Sequence, residues 1–274
     1  MGDPVADRCL RGLPPPRRRR RIRLGVLAFG DSITNGGGEL QWGVALQSWA
    51  LWTARGLGLP YSGYAIDGAR VDDVLDVEIP RFLAATPEAA AARFDIGCLY
   101  VGVNDVRGVD WDEEYFEPRY REALAFIAAR SDRVLTATFP LDLGRPRAGA
   151  KVEDANRLIE RVAADAGALV MDLRAFKGRR LLMADQVHPT AFGQIAIACK
   201  ALELLAADGA DVRVDPWSLV DWDETALGRA RGDATYAYRR TKEEAKAALK
   251  LAKVRAAGGD AQAPLERPEP STGA

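Results

Sequence analysis

Short apolar runs alternate about five times with stretches of helical periodicity, and that alternation constrains the fold more than any other feature of the chain. The first run, Leu24-Gly-Val-Leu-Ala-Phe29, ends in Gly30-Asp31 and reads as a buried strand. Gly36-Gly37-Gly38 breaks regular structure after it. Val44 to Ala54 suits a helix, and Tyr61 to Ile66 a second strand. Val71, Leu75, Ile79 and Phe82 are spaced for one helical face, which Pro80 is expected to kink or split. Ile96 to Val101 reads as a third strand, followed by a helical face of Phe116, Tyr120, Leu124 and Ile127. Val134 to Thr138 is β-rich and stops before Pro140. Val152, Ala155, Ile159, Val162 and Ala166 make the next helical face, and Ala168 to Met171 a last short strand. Pro189 is placed to open a final helix, whose apolar face is Phe192, Ile195, Cys199 and Leu202.

Such alternation implies βαβ units, a parallel sheet and helices on both of its faces. Ligands of these sheets bind outside the carboxyl ends of the strands. The chemistry is therefore expected in the segments leaving Phe29, Ile66, Val101 and Met171.

The first segment carries Gly30-Asp31-Ser32-Ile33-Thr34. Ser32 stands at the mouth of the sheet, although Gly-Asp-Ser is also good turn chemistry. A serine hydroxyl needs a neighbouring base to lose its proton near neutral pH, and histidine is the usual one. His188 is the only histidine in the chain, so a serine–histidine enzyme must use it. A lone histidine is more often an ordinary core or surface residue. This one sits in Ala184-Asp185-Gln186-Val187-His188-Pro189-Thr190, where a turn can bring the Asp185 carboxylate to Nδ1. Asp31 is read as a brace for the serine loop. Acyl transfer also needs donors for a developing oxyanion. Asn104 follows the third strand in Gly102-Val103-Asn104-Asp105, and Gly68 follows the second. The backbone N–H of Ser32 makes a third donor. Alone, Gly68 reads as a turn glycine and Asn104 as a loop residue. Together the signals fall in the strand-exit segments the fold singles out.

At these residues the sequence resembles the SGNH hydrolases, also called GDSL-type lipases or esterases. Their four blocks match at Phe29-Gly30-Asp31-Ser32-Ile33-Thr34, at Gly68, at Gly102-Val103-Asn104-Asp105 and at Asp185-Gln186-Val187-His188-Pro189-Thr190. The second block departs from the common pattern, with Ala65-Ile66-Asp67 before the glycine. The resemblance implies a flavodoxin-like three-layer α/β/α sandwich around a parallel sheet of about five strands. It implies catalytic Ser32, Asp185 and His188, and an oxyanion hole of Ser32, Gly68 and Asn104. It also implies no metal, no cofactor, and cleavage of a small-molecule ester through an acyl-enzyme. An O-acyltransferase or thioesterase uses the same acyl-enzyme, and a non-catalytic ligand-binding protein can share the fold. Nucleotide binding lacks support, since no P-loop or dinucleotide-binding glycine pattern surrounds Gly36-Gly37-Gly38.

The rest of the chain frames this reading. With 274 residues, 48% of them hydrophobic, it allows one large domain plus an extension. Residues 23–206 read as the hydrolase domain and residues 1–22, with Arg17 to Arg21, as a disordered basic arm. Residues 207–257 read as a docked, partly helical extension around Trp217, Trp222 and a lysine-rich helix from Thr241 to Arg255. That helix fits a solvated face or a partner or membrane-surface contact. Residues 258–274 read as a disordered tail. A net charge of −1 gives no overall preference for nucleic acid. No stretch is apolar and long enough to span a bilayer. Cys9, Cys98 and Cys199 are far apart and form no CxxC pair, which suits a reducing, cytoplasmic setting rather than disulfides or zinc. Trp42, Arg70, Arg107 and Trp111 are near the expected site in sequence and could line an acyl or sugar pocket, the arginines suiting an anionic substrate. Oligomeric state is not legible here.

Overall fold

The computed structural model describes residues 23–38, 44–85, 93–108, 110–220 and 225–256. Strand β1 (Val26–Gly30) is buried along its whole length and pairs on both sides, with β2 (Tyr61–Gly63) and β3 (Phe94–Tyr100). Helices cover both faces of such a strand, so it carries apolar residues without alternation. β4 (Ser131–Ala137) joins β3, and β5 (Leu169–Met171) joins β4. All pairings are parallel, and the five strands lie in the order β2-β1-β3-β4-β5. This is the flavodoxin-like order, with its switch point between β1 and β3.

The connections supply the outer layers. α1 (Ser32–Asn35) follows β1 and α2 (Trp49–Leu57) leads to β2. α3 (Val71–Asp73), a π-helical turn (Val74–Glu78) and α4 (Ile79–Ala85) run on without a break toward β3. α5 (Val103–Val106) and α6 (Glu113–Ala128) follow β3, α7 (Lys151–Ala166) follows β4, and α8 (Ala191–Ala207) follows β5. α2 packs on α8, and α6 on α7, giving the three-layer α/β/α sandwich. Phe29, at the end of β1, is fully buried with Phe82 edge-on at 5.9 Å, an arrangement that fixes the strand end from which Ser32 emerges.

Local differences from the sequence reading have physical causes. Regular pairing of β2 stops at Gly63, yet Tyr64 and Ile66 still donate N–H bonds to Ala28 and Gly30 at 2.9 and 3.0 Å. The helix at Pro80 does not split. The π turn just before it widens the carbonyl ladder where the proline ring needs room, and the helix resumes. Pro189 does not open α8. Thr190 is the cap, accepting the Gly193 N–H at 3.1 Å, while Pro189 pairs with Leu182 in an isolated bridge.

Beyond α8, a 3-10 turn (Pro216–Leu219) seats Trp217 against Phe192 at 5.7 Å. α9 (Ala226–Ala256) is longer than its lysine-rich part suggested. Its Tyr236 hydroxyl accepts from Gln186 Nε2 at 3.0 Å, and Asp233 pairs with Arg179. Among the described residues no helix is long and apolar enough to cross a membrane. The basic arm, the tail, Trp42 and Trp222 lie outside the described residues.

Candidate active site

Gly30 turns the chain out of β1 at φ 143°, where a β-carbon would stand 2.2 Å from the Tyr100 carbonyl oxygen, so no side chain fits. Asp31 follows as the cap of α1, its Oδ1 accepting the Ile33 N–H at 2.9 Å. Ser32 is the first residue of that single turn, where a backbone N–H has no partner within the helix. Only 9% of Ser32 is exposed.

His188 comes from 156 residues further along the chain. Ser32 Oγ lies 2.9 Å from His188 Nε2, and His188 Nδ1 lies 2.7 Å from Asp185 Oδ2. The other oxygen of Asp185 accepts the N–H groups of Val187 and His188 at 2.9 and 3.1 Å. One carboxylate thus holds both the ring and the loop that presents it. Gln186, between the two, adopts φ 56°, which folds Asp185 back toward the ring. With Nδ1–H on a carboxylate, Nε2 is the nitrogen left to accept a proton from Oγ.

The loops of Gly68 and Asn104 are tied together beside α1. Asn104, on α5, donates from Nδ2 to the Ala69 carbonyl at 3.0 Å, which leaves its second amide hydrogen available. Asn35 of α1 donates to Asp67 at 2.9 Å in the same loop. Gly68 is exposed at φ 78°, and a β-carbon there would meet nothing within 4 Å, so the backbone angle rather than space calls for glycine. The structure therefore brings Ser32, Asp185 and His188 into direct contact. It places Gly68 and Asn104 on loops joined to each other and to the serine turn.

Residues 28–195 match the sequence model of the GDSL-like lipase/acylhydrolase family. The chain belongs to that family. Its reaction class is carboxylic ester hydrolysis. No curated protein matches it in sequence. Among solved structures it is similar to a member of the lipolytic G-D-S-L family from Veillonella parvula, with TM-score 0.51 and 22% identity over 66% of this chain and 97% of that one. It is also similar to a catalytic mutant of an acetylxylan esterase from Geobacillus stearothermophilus, with TM-score 0.54 and 19% identity over 71% of this chain and 100% of the other. These likenesses concern the fold.

Beneath the serine turn of this GDSL acylhydrolase sits a carboxylate that sequence reading missed. Glu78, in the π turn, is fully buried and accepts the Gly30 N–H at 2.9 Å and the Ile66 N–H at 3.1 Å. It clamps the exit of β1, which leads to Ser32, to the exit of β2, which leads to Gly68. The available signal was its place on an apolar stripe, after Val71 and Val74 and before Phe82. Burial pushes its pKa up to about 8, against the two N–H bonds, with the nearby Asp31 charge adding to the rise. Burial also raises Asp31 to about 7 and Asp105 to about 7.

Asp185 and His188 are shifted differently. Burial works against the ionised form of Asp185, but the His188 hydrogen bond and charge and two N–H donors outweigh it and hold the carboxyl below its usual range. Burial likewise opposes a charged His188, but the hydrogen bond and charge of Asp185, with the charge of Asp31, leave the ring above its ordinary value of 6.5.

Proposed function

We propose that Ser32 is the nucleophile, His188 its general base and Asp185 the group that orients the imidazole. The continuous chain from Ser32 Oγ through His188 to Asp185, at 2.9 and 2.7 Å, carries this reading. Oγ attacks the ester carbonyl while its proton passes to Nε2. The carbonyl oxygen becomes an oxyanion, received by the N–H of Ser32, the N–H of Gly68 and the Asn104 side chain. His188 then gives its proton to the leaving alkoxide, and an acyl-enzyme remains on Ser32. Water repeats the sequence, with His188 taking its proton, and frees the acid. Each oxyanion donor typically lowers the barrier by about 3–4 kcal/mol. The proposed steps use only side chains, backbone donors and water.

The solved structures that share the fold include acetylxylan and acetyl-xylooligosaccharide esterases, which makes acetyl esters the first substrates to try. A 4-nitrophenyl series from acetate to long acyl chains is expected to show hydrolysis that is fastest at the short end. A phosphonofluoridate is expected to add once, and peptide mass spectrometry to place the adduct on Ser32. A folded protein that neither cleaves any ester of the series nor takes the label overturns the reading.

The pH profile follows from the ring's charge. Only neutral His188 accepts a proton, so kcat/KM rises as pH passes through its pKa in the folded enzyme. That pKa is raised, so the rising limb is expected on the alkaline side of 6.5. A limb centred well below this value means a different base.

A further inference from the structure

Asn104 and Arg107 stand three residues apart on the turn of α5, with Arg107 still helical at φ −83°, so their side chains leave neighbouring positions on one side of it. Arg107 crosses to the loop after β4. A β-carbon placed on Gly144 would lie 2.9 Å from Arg107 Nε and 3.5 Å from its Cδ. Gly144 itself donates its N–H to the Gln186 carbonyl at 2.9 Å, between Asp185 and His188 in the chain. The guanidinium is therefore wedged between the turn that carries Asn104 and the loop that carries the acid and the base.

It is also unpaired. Arg107 Nε is buried with no hydrogen-bond partner, and no carboxylate reaches the guanidinium within ion-pair distance among the described residues. Nearby arginines differ. Arg70 donates to both oxygens of Asp110 at 2.8 and 3.0 Å, and Arg145 is held by Asp142 at 2.9 Å. A buried donor with no acceptor is destabilising, and a guanidinium in that state is completed by a planar, two-oxygen partner. The charges of Asp185 and Asp31 act on Arg107 and its charge acts on His188, so it stands beside the proposed site, where the substrate is the molecule available to complete it.

We propose that Arg107 is a specificity residue that receives a carboxylate of the substrate, so that the preferred esters carry a carboxylate a few bonds from the scissile carbonyl. This rests on the reading of Ser32 as the centre of ester hydrolysis. Burial pulls Arg107 below the usual arginine value, and the charges of Asp185 and Asp31 act against that. Those two acids already place negative potential nearby, which favours a monoanionic carboxylate over a dianionic phosphate. The carboxylate can belong to the acyl part or to the alcohol part, and matched probes separate these.

The acyl arm compares the 4-nitrophenyl monoester of glutarate with 4-nitrophenyl valerate, of equal chain length. The alcohol arm compares 4-acetoxybenzoate with its methyl ester. All rates are corrected for spontaneous hydrolysis. Wild type is expected to favour the charged member of one pair in kcat/KM by on the order of 10-fold to 100-fold, the usual range for a hydrogen bond to a charged group. In Arg107→Met that ratio is expected to fall to one or below, with Arg107→Lys between. A second readout needs no turnover. Millimolar glutarate or 4-hydroxybenzoate, matching the favoured arm, is expected to raise the melting temperature of wild type and not of Arg107→Met. Without ligand the variant is expected to melt no lower than wild type, because it removes an unpaired half-buried charge. The proposal is overturned if neither charged ester is preferred, if the ratio survives in Arg107→Met, or if both rates fall there by the same factor. Silence of folded wild type on all four esters overturns the hydrolase reading instead, and the melting shift still decides whether Arg107 takes a carboxylate.

Discussion

Removing either partner of the 2.9 Å Ser32–His188 contact is expected to lower kcat by roughly 10⁴-fold to 10⁶-fold, and removing both no further. The two groups act as one unit. Without His188 the hydroxyl keeps its proton at neutral pH and is a poor nucleophile. Without Ser32 the imidazole has only water to activate, at a place shaped for an acyl group. Non-additivity is the sharper part of the expectation. Ser32→Ala, His188→Ala and the double variant should share one residual rate on 4-nitrophenyl acetate, with KM little changed. That residue is what the oxyanion donors and binding contribute alone. Losses that multiply in the double variant mean the two side chains act independently, and the proposed proton transfer is then wrong.

Asp185→Asn is expected to cost about 10⁴-fold in kcat, as an amide in that position does in other serine hydrolases, although shape is conserved. Asp185 Oδ2 accepts from Nδ1 at 2.7 Å and so leaves Nε2 free for the serine proton. An asparagine can turn its NH₂ toward Nδ1 while its oxygen keeps the Val187 and His188 N–H bonds, at 2.9 and 3.1 Å in the native loop. The ring then carries its hydrogen on Nε2, and the nitrogen facing Ser32 is a donor. The variant also loses the charge that raises the His188 pKa, so its residual activity should titrate at lower pH than wild type. Normal turnover in a folded Asp185→Asn protein removes Asp185 from the mechanism.

Much of this arrangement could be read in the sequence because burial and scarcity leave strong traces. Strands covered on both faces appear as apolar runs, which is why β1 and β3 were legible to within two residues at each end. The single histidine left one choice of base. Other features leave weaker traces. Glu78 is a charged residue on an apolar stripe, and only the backbone donors of Gly30 and Ile66, brought in by the sheet, explain it. Gln186 takes a positive φ without being glycine, so its turn is invisible to composition. Arg70 and Arg107 looked alike in sequence. The fold separates them, because Asp110 lies within reach of one and, among the described residues, no acid pairs with the other.

Ser32 and His188 are 156 residues apart in the chain. β1, which presents Ser32, pairs only with strands made after it, and His188 follows all five. A ribosome therefore releases Ser32 early and His188 late, and long-range contacts of this kind are slow to form. No fragment that ends before residue 188 holds the pair. Recovery of ester cleavage after dilution from denaturant is therefore expected to report the joining of these two distant parts of the chain.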